Sequence, residues 1–443
     1  MVLVILTLLE QAISLAPALV TLFALGLMAV RHQRLFLALF VSLVALESTR
    51  DFAPSIGMIF GGISVYPEDL FMVLCASAAL VRIRQWRLRG ITLMAVLVFS
   101  VLVGLGVISW IWTFGLQRGV NSWRSEMLMV ALLLYATTRP RDWSWNDIHV
   151  LIVWPAIVAA LAGLVSILLF GLGSSSSSVL VGGVLEYSRP VGASSSLLML
   201  VGLWVTLLSV GKWTATRVVV GLLLASMILL TQVRSVWVAA ICGVVVWWLV
   251  PRIRARGTST GLGGLSRTVI VFLVATATAL VGVFVNVLGQ SASNDGTWLW
   301  RVARWAASMS IPRSWFEWLA GSALGPTPAS TPGLFPTFAH SFYVDDIEKT
   351  GFIGLAALVF LIIAVGKAHV PSWPGPLGLI VCVSYLSYGT AYQVPAWAWM
   401  LVGILLSATL IEQPEGPQDG AAPNPESDRA TEPRGAQRRS VRL

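Results

Sequence analysis

Long apolar runs separated by short basic loops constrain this chain more than any other feature. A helix needs about 20 apolar residues to cross the hydrocarbon core of a bilayer, and runs near that length recur along most of the 443 residues. Hydrophobic residues make up 57% of the chain and charged residues only 11%, which is unlike the composition of soluble domains. The sequence therefore predicts an all-α, polytopic membrane protein.

The apolar runs predict about thirteen transmembrane helices, some of them marginal in length. They lie near residues 13–30, 35–49, 67–81, 91–113, 120–137, 148–172, 193–210, 216–232, 235–250, 268–288, 350–366, 375–391 and 395–411. Together they make residues 1–412 one transmembrane domain of about 12 to 13 spans. The remaining residues, 413–443, have the composition of a disordered tail and are expected in the cytoplasm.

Basic residues predict which ends of these helices face the cytoplasm. Six loops on one side of the predicted topology hold 15 of the 29 Lys and Arg residues, and short loops with such an excess stay inside. The net charge of +9 thus reflects membrane topology, and nucleic-acid binding is not expected. The long loop 289–349 then faces outward as an extracytoplasmic loop, together with the shorter loop 171–192.

The long outer loop contains features that a simple connection does not need. Tryptophan and arginine recur in it at helical spacing, which predicts a short amphipathic helix at the membrane surface. These positions are Trp298, Arg301, Arg304 and Trp305. The loop ends in FAHSFYVDDIEKTG, where His340 is the one histidine predicted to face outward. Its imidazole could accept a proton near neutral pH, whereas most lone loop histidines are simply solvated.

Outward-facing arginines are the other candidates for chemistry. Arg234 lies in LLTQVRSVWVA between two apolar runs, and a guanidinium so close to hydrocarbon is costly unless it pairs with an anion. A side chain that snorkels to lipid headgroups explains it equally well. Contact with membrane phospholipid is the alternative for Arg301 and Arg304, and an ordinary loop position is the alternative for Arg189. The chain contains no nucleotide-binding glycine fingerprint, hydrolase elbow or zinc motif.

Acidic pairs at two predicted helix starts have a structural explanation. Glu68 and Asp69 follow Pro67, and proline followed by acids is typical of a helix N-terminus. A base or metal ligand is the other interpretation of that pair. Asp345 and Asp346 could likewise begin the next helix or bind sugar hydroxyls.

The order of these motifs resembles that of the O-antigen ligase and polymerase superfamily, over roughly residues 186–365. The members of this family join lipid-linked glycans outside the bacterial inner membrane. LLTQVRSVWVA is similar to the arginine of the family at an outer turn, and SRPVGASSSLLML to its arginine-and-glycine approach to a central span. DGTWLWRVARWAASM followed by LAGSALG resembles its arginine-bearing helix and the glycine turn after it. His340 and Tyr343, followed by Gly351 and Gly354, resemble the histidine signature of the family.

The resemblance implies a GT-C type multi-pass protein of the bacterial inner membrane, with an active site facing the periplasm or cell exterior. It implies a glycosyltransferase that moves a glycan from undecaprenyl pyrophosphate to an acceptor glycan or lipid, as a ligase or a polymerase. The reaction would invert the anomeric centre and need neither a metal nor another cofactor. The implied site residues are, for catalysis, His340, Arg234 and Arg301 and, for substrate binding, Arg189, Arg304 and Tyr343.

A secondary transporter or flippase for lipid-linked oligosaccharide is the second interpretation. Transporters place ionisable residues and broken helices near the middle of the membrane. The sequence offers few such residues, the debatable ones being Glu10, Glu47 and Glu126. The transferase interpretation is therefore preferred.

Overall fold

The computed structural model describes residues 21–47, 58–60, 63–86, 88–138, 144–170, 179–181, 184–186, 190–209, 214–231, 233–256, 296–325, 341–367 and 376–409. Within these ranges the protein is a bundle of α-helices, as the apolar runs predicted. Two antiparallel hairpins of three-residue strands are the exceptions, β1 (Met58–Phe60) with β2 (Ile63–Val65) and β3 (Val179–Val181) with β4 (Val184–Glu186). Both hairpins lie in loops between helices, where hydropathy carries no signal.

The helices of the described ranges are numbered in chain order. They are α1 (Thr21–Arg31), α2 (Gln33–Glu47), α3 (Pro67–Val81), α4 (Gly90–Phe114), α5 (Leu116–Thr137), α6 (Trp145–Phe170), α7 (Ala193–Leu208), α8 (Ala215–Leu230), α9 (Arg234–Arg256), α10 (Gly296–Ser310), α11 (Trp315–Ala320), α12 (Phe342–Lys367), α13 (Leu377–Gly389) and α14 (Ala396–Thr409). A 3-10 turn, Gly321–Leu324, follows α11. All but one of the predicted spans coincide with a helix. The exception, 268–288, lies outside the described residues, as do the first twenty residues and the predicted tail.

Three helices, α4, α6 and α12, are long and apolar enough to cross a membrane. Seven further apolar helical stretches of the described ranges have 10 to 17 residues, namely α1, α2, α7, α8, the first part of α9 (Arg234–Trp248), α13 and α14. Helices of that length cross a bilayer only where it thins or where flanking residues extend them. The structure is thus compatible with a membrane protein, and the full number of crossings stays a prediction.

Side-chain contacts between loops assign the helix termini to two ends of the bundle. Tyr135 at the end of α5 donates its hydroxyl to the Ala29 carbonyl at 2.6 Å, and Arg34 forms an ion pair with Asp147 at 2.9 Å. Arg82, just after α3, also donates to the Val30 carbonyl of α1, so the ends of α1, α3 and α5 share this end, which we call the basic end. Arg34 and Arg82, from two of the basic loops predicted to face the cytoplasm, therefore lie at the same end of the bundle.

The opposite end, where α5, α7, α9, α12 and α14 begin, is called the site end. Trp397 at the start of α14 donates its indole N–H to Ser194 Oγ of α7 at 3.0 Å. The backbone N–H of Phe342, which begins α12, donates to the carbonyl of Tyr392 in the loop between α13 and α14 at 3.3 Å. These contacts bring the starts of three helices together.

Small residues allow the central helix α5 to pack closely against its neighbours α3, α4 and α14. The fully buried ring of Trp123 lies against Gly106 of α4, where any Cβ atom would overlap it. Gly403 of α14 similarly contacts Ala136 of α5. Close approach of backbones at small residues is how helices gain contact area when lipid removes the hydrophobic driving force. Glu126 of α5 therefore lies in a closely packed part of the bundle.

Candidate functional site

Arg234 lies where the sequence predicted it, at the turn between two apolar helices of the site end. It is the first residue of α9, and its side chain is exposed although Val233 and Ser235 on either side of it are buried. α9 packs along α13. An exposed guanidinium at the edge of a buried turn can reach either a substrate anion or a lipid headgroup.

The predicted amphipathic helix is present as α10, Gly296–Ser310. It carries Arg301 and Arg304 one turn apart, and both side chains are half-buried. The guanidinium carbon of Arg301 lies 4.8 Å from the centroid of the Tyr392 ring, within the range of a cation–π interaction. Its Nε atom is buried and has no hydrogen-bond partner among the described residues. The Nε–H of Arg301 is therefore available to an acceptor that lies outside the described residues.

α10 is also held against α12 at its C-terminal end. Ser308 hydrogen-bonds to Glu348 of α12, and Arg313, just beyond α10, donates to the Ser308 carbonyl at 3.1 Å. The Arg313 guanidinium lies 3.7 Å from the Glu348 carboxylate and stacks 4.9 Å from the ring centroid of Trp318. The arginine helix therefore contacts elements of the site end twice, through Arg301 and Tyr392 and, near its C-terminus, through Ser308 and Glu348.

α12 begins earlier than the sequence predicted. We expected a span at 350–366 after a loop, whereas the helix begins at Phe342 and most of residues 341–350 are buried. The N–H of Ser341 donates to Asp345 Oδ2 at 3.3 Å, so Asp345 caps the new helix start. Asp345 and Asp346 thus lie at the start of the helix, as one interpretation of this pair predicted, and both are buried.

Tyr343 uses its hydroxyl inside the bundle. It donates to the Leu386 carbonyl of α13 at 2.8 Å, which joins α12 to α13. A substrate contact by Tyr343 stays a prediction. His340 and Arg189 lie outside the described residues, although Ser341, the chain neighbour of His340, is buried at the site end.

A buried charged cluster lies behind the start of α12, formed by Glu126 of α5 with Asp346 and Lys349 of α12. Glu126 is fully buried and pairs with the Lys349 ammonium at 2.7 Å. Asp346 is also fully buried beside them, with Lys349 as the nearby cation. Lys349 was not among the candidate residues predicted from the sequence. The signal was present, since Glu126 in the middle of an apolar run requires a cation.

Gly351 breaks α12 immediately after this cluster. Its φ of 67° is a conformation that favours glycine, and it divides α12 into a short buried segment and the longer span. A Cβ at Gly351 would overlap the backbone of Leu319 and Ala320, and one at Gly321 would overlap Lys349 and Gly351 in return. The two glycine motifs singled out in the sequence therefore contact each other.

The acidic pair at Glu68 and Asp69 has the structural role that Pro67 indicated. α3 begins at Pro67, and Asp69 Oδ2 accepts the N–H of Tyr66 at 2.9 Å. Asp69 also pairs with Arg124 of α5 at 2.7 Å. Within the described ranges, no three His, Cys, Asp or Glu residues lie close enough together to hold a metal ion. A reaction without a metal stays a prediction.

Replacing Asp69 by alanine tests this structural role. We expect a loss of about 1 to 2 kcal/mol of stability, because the cap of α3 and the ion pair with Arg124 are removed together. Thermal unfolding in detergent measures the loss, and transfer activity of the folded fraction should not change. Activity lost without any change in unfolding temperature would instead make Asp69 part of the chemistry.

Comparisons with known proteins add no assignment. No protein-family model matches the chain, and no curated protein sequence does. The function is therefore inferred from the residues and contacts of the structure.

Proposed function

We propose that the chain is a glycosyltransferase that moves a glycan from undecaprenyl pyrophosphate to an acceptor glycan or lipid, as an O-antigen ligase or a polysaccharide polymerase. It would act on the outer side of the bacterial inner membrane, as a GT-C type protein of about 12 to 13 crossings. The observation that carries the proposal is the contact of Arg301 with Tyr392. It joins the arginine helix to the loop that also receives the first N–H of α12, two residues after His340.

Expelling the pyrophosphate is the demanding step of this transfer. The acceptor oxygen attacks the anomeric carbon, the bond from that carbon to the phosphate oxygen breaks, and the leaving group takes the electron pair. Arginine suits this task, since its planar fork donates two hydrogen bonds to phosphate oxygens and keeps its charge. Arg301 and Arg234 would bind the pyrophosphate, with Arg189 and Arg304 as further contacts. The unpartnered Nε of Arg301 is a donor available for this purpose.

His340 would take the proton of the acceptor hydroxyl as that oxygen attacks. A neutral imidazole is suited to this role near pH 7. Direct displacement with one base and no covalent intermediate inverts the anomeric centre. Each group thus has one role. The arginines stabilise the negative charge of the pyrophosphate, and the histidine accepts the proton.

A transfer assay with purified protein, a polyprenyl-pyrophosphate-linked glycan and candidate acceptors tests this proposal. We expect new glycosidic product from the wild type, and a loss of about 100-fold or more in His340→Ala and Arg234→Ala. Arg84→Ala, at an exposed arginine of the basic end, is the matched control and should retain full activity. Normal transfer by the folded His340→Ala and Arg234→Ala variants would refute the assignment.

A transporter or flippase is the second candidate, and two observations favour it. α12 is broken at Gly351, and the Glu126–Lys349 pair is buried beside the break. Broken helices and buried ionisable residues are typical of substrate sites in secondary transporters. Proteoliposomes loaded with lipid-linked oligosaccharide separate the two functions, because a flippase moves the glycan across the bilayer and forms no glycosidic bond.

A further inference from the structure

The segment Ser314–Leu324, which contains α11 and the 3-10 turn, exposes large apolar side chains. Trp315, Phe316 and Leu324 are 62%, 53% and 59% exposed, and Leu319 is 39% exposed. We call these four residues the α11 patch. In a water-soluble surface such a concentration of apolar side chains marks a contact site. Its position in this protein identifies what it contacts.

Several backbone groups of the segment are hydrogen-bonded within the protein. Ser314 and Glu317 form a reciprocal capping box, in which the Ser314 N–H donates to Glu317 Oε2 at 2.6 Å. The indole N–H of Trp110 donates to the Ser322 carbonyl at 3.3 Å. The side chain of Arg313, just before the segment, is only 1% exposed and pairs with Glu348 at 3.7 Å, while its Nε and Nη1 have no hydrogen-bond partner among the described residues. Backbone at membrane depth is tolerated only where its polar groups are satisfied in this way.

The segment lies level with the end of the candidate span α4. Trp110 is one turn before Phe114, the last residue of α4, so its contact with Ser322 lies about 6 Å inside that end. The 25 residues of α4 extend about 37 Å, which exceeds the hydrocarbon thickness of about 30 Å by only a few ångströms at each end. The Ser322 contact therefore lies at the boundary of the hydrocarbon core or just within it.

The α11 patch is also continuous with the outer surface of the candidate span α12. Trp318 of α11 stacks on Phe352, with ring centroids 5.6 Å apart. Phe352 is 48% exposed and its neighbour Ile353 is 42% exposed. A half-exposed apolar surface on a helix of this length faces lipid when the helix crosses a membrane. The α11 patch extends that surface sideways.

We propose that Ser314–Leu324 is a re-entrant element whose α11 patch is embedded in the hydrocarbon of the bilayer at the site end. The partner is the acyl-chain region of the lipid. The element anchors the end of α10 to the membrane, since Arg313 and Glu348 join α10 to α12 immediately beside it. It thereby fixes the height of Arg301 at the lipid boundary. This inference does not depend on glycosyl transfer and holds for a transporter as well.

Spin labels on single cysteines test the inference in nanodiscs of phosphatidylethanolamine and phosphatidylglycerol. Phe316→Cys and Leu319→Cys report on the α11 patch. Ile108→Cys, on the exposed face of α4, is the lipid-facing control, and Ser310→Cys, at the exposed end of α10, is the aqueous control. Cys75, Cys242 and Cys382 are buried, so the unmodified chain gives the labelling background. Collision rates with molecular oxygen and with a water-soluble nickel chelate are measured at each position.

We expect labels at 316 and 319 to collide more with oxygen than with the nickel chelate, as the label at 108 does, whereas the label at 310 shows the reverse. Preference for the nickel chelate at 316 and 319 would place the patch in water and overturn the inference. Protection from both reagents would overturn it as well, because the patch would then be covered by protein. Transfer activity of the same preparations is scored separately, so a failed glycosyltransferase proposal leaves this result interpretable.

Discussion

Replacing Lys349 by methionine is expected to destabilise the protein by about 3 to 5 kcal/mol. Lys349 forms an ion pair with Glu126, which is fully buried in α5. Removing one member of a buried pair leaves the other charge without compensation, and this costs more than the pair itself contributes. Asp346, fully buried beside them, adds to the cost because Lys349 is the nearby cation that offsets both acids. Unfolding followed by tryptophan fluorescence in detergent measures the change.

Lys367→Met provides a matched control, since Lys367 is an exposed lysine at the other end of the same helix. It should change stability by less than about 0.5 kcal/mol. The double variant Glu126→Gln with Lys349→Met should regain part of the loss, because the buried charge of Glu126 is gone while Asp346 stays without Lys349. If Lys349→Met unfolds like the wild type, the pair is not buried in the membrane-embedded protein and the start of α12 is placed differently.

Hydropathy predicted the helices of this protein well because each one must satisfy its own backbone in an apolar environment. Runs such as 91–113 and 148–172 correspond to α4 and α6 with small shifts at their ends. The helix start at Pro67 was likewise visible, since proline and acids at a first turn have a local cause. Features determined within one turn or one span are readable from sequence.

The sequence allowed Asp345 and Asp346 to begin a helix, but it did not predict that this helix start is buried, because the burial depends on partners far along the chain. A segment containing Asp345, Asp346, Glu348 and Lys349 looks like a solvated loop. It is buried because Glu126, more than two hundred residues earlier, pairs with Lys349. Hydropathy depends only on residues that are close together in the chain, so it cannot predict such a distant pair. The same limit explains why the contact between Gly321 and Gly351 could be suspected from two motifs but not predicted as one contact.

The candidate site combines both kinds of information. The helix that bears Arg301 was predicted from its spacing, but the aromatic ring beneath it, Tyr392, was not, since 91 positions separate the two residues in the chain. Arg234 was located at the correct turn. The histidine signature gave a candidate base, His340, and the transfer assay with His340→Ala tests it.

Replacing Arg301 by alanine is expected to lower kcat/KM for glycan transfer by about 100- to 1000-fold, which is the usual loss when one donor to a developing negative charge is removed. Arg301→Lys should recover only part of this loss. Lysine keeps the positive charge, but it cannot stack its plane on Tyr392 at 4.8 Å or offer the second N–H that a phosphate accepts. Steady-state kinetics with a purified lipid-linked donor gives kcat/KM for the wild type, Arg301→Ala and Arg301→Lys.

Tyr392→Leu separates positioning from chemistry in this prediction. It removes the ring that orients the guanidinium but leaves Arg301 itself, so we expect a loss of about tenfold, smaller than that of Arg301→Ala. The two losses should not add in the double variant, because both act through the same guanidinium. Fully additive losses would mean that Tyr392 contacts substrate independently. Unchanged kcat/KM in folded Arg301→Ala would remove this arginine from the reaction and, with it, the contact on which the proposed transferase depends.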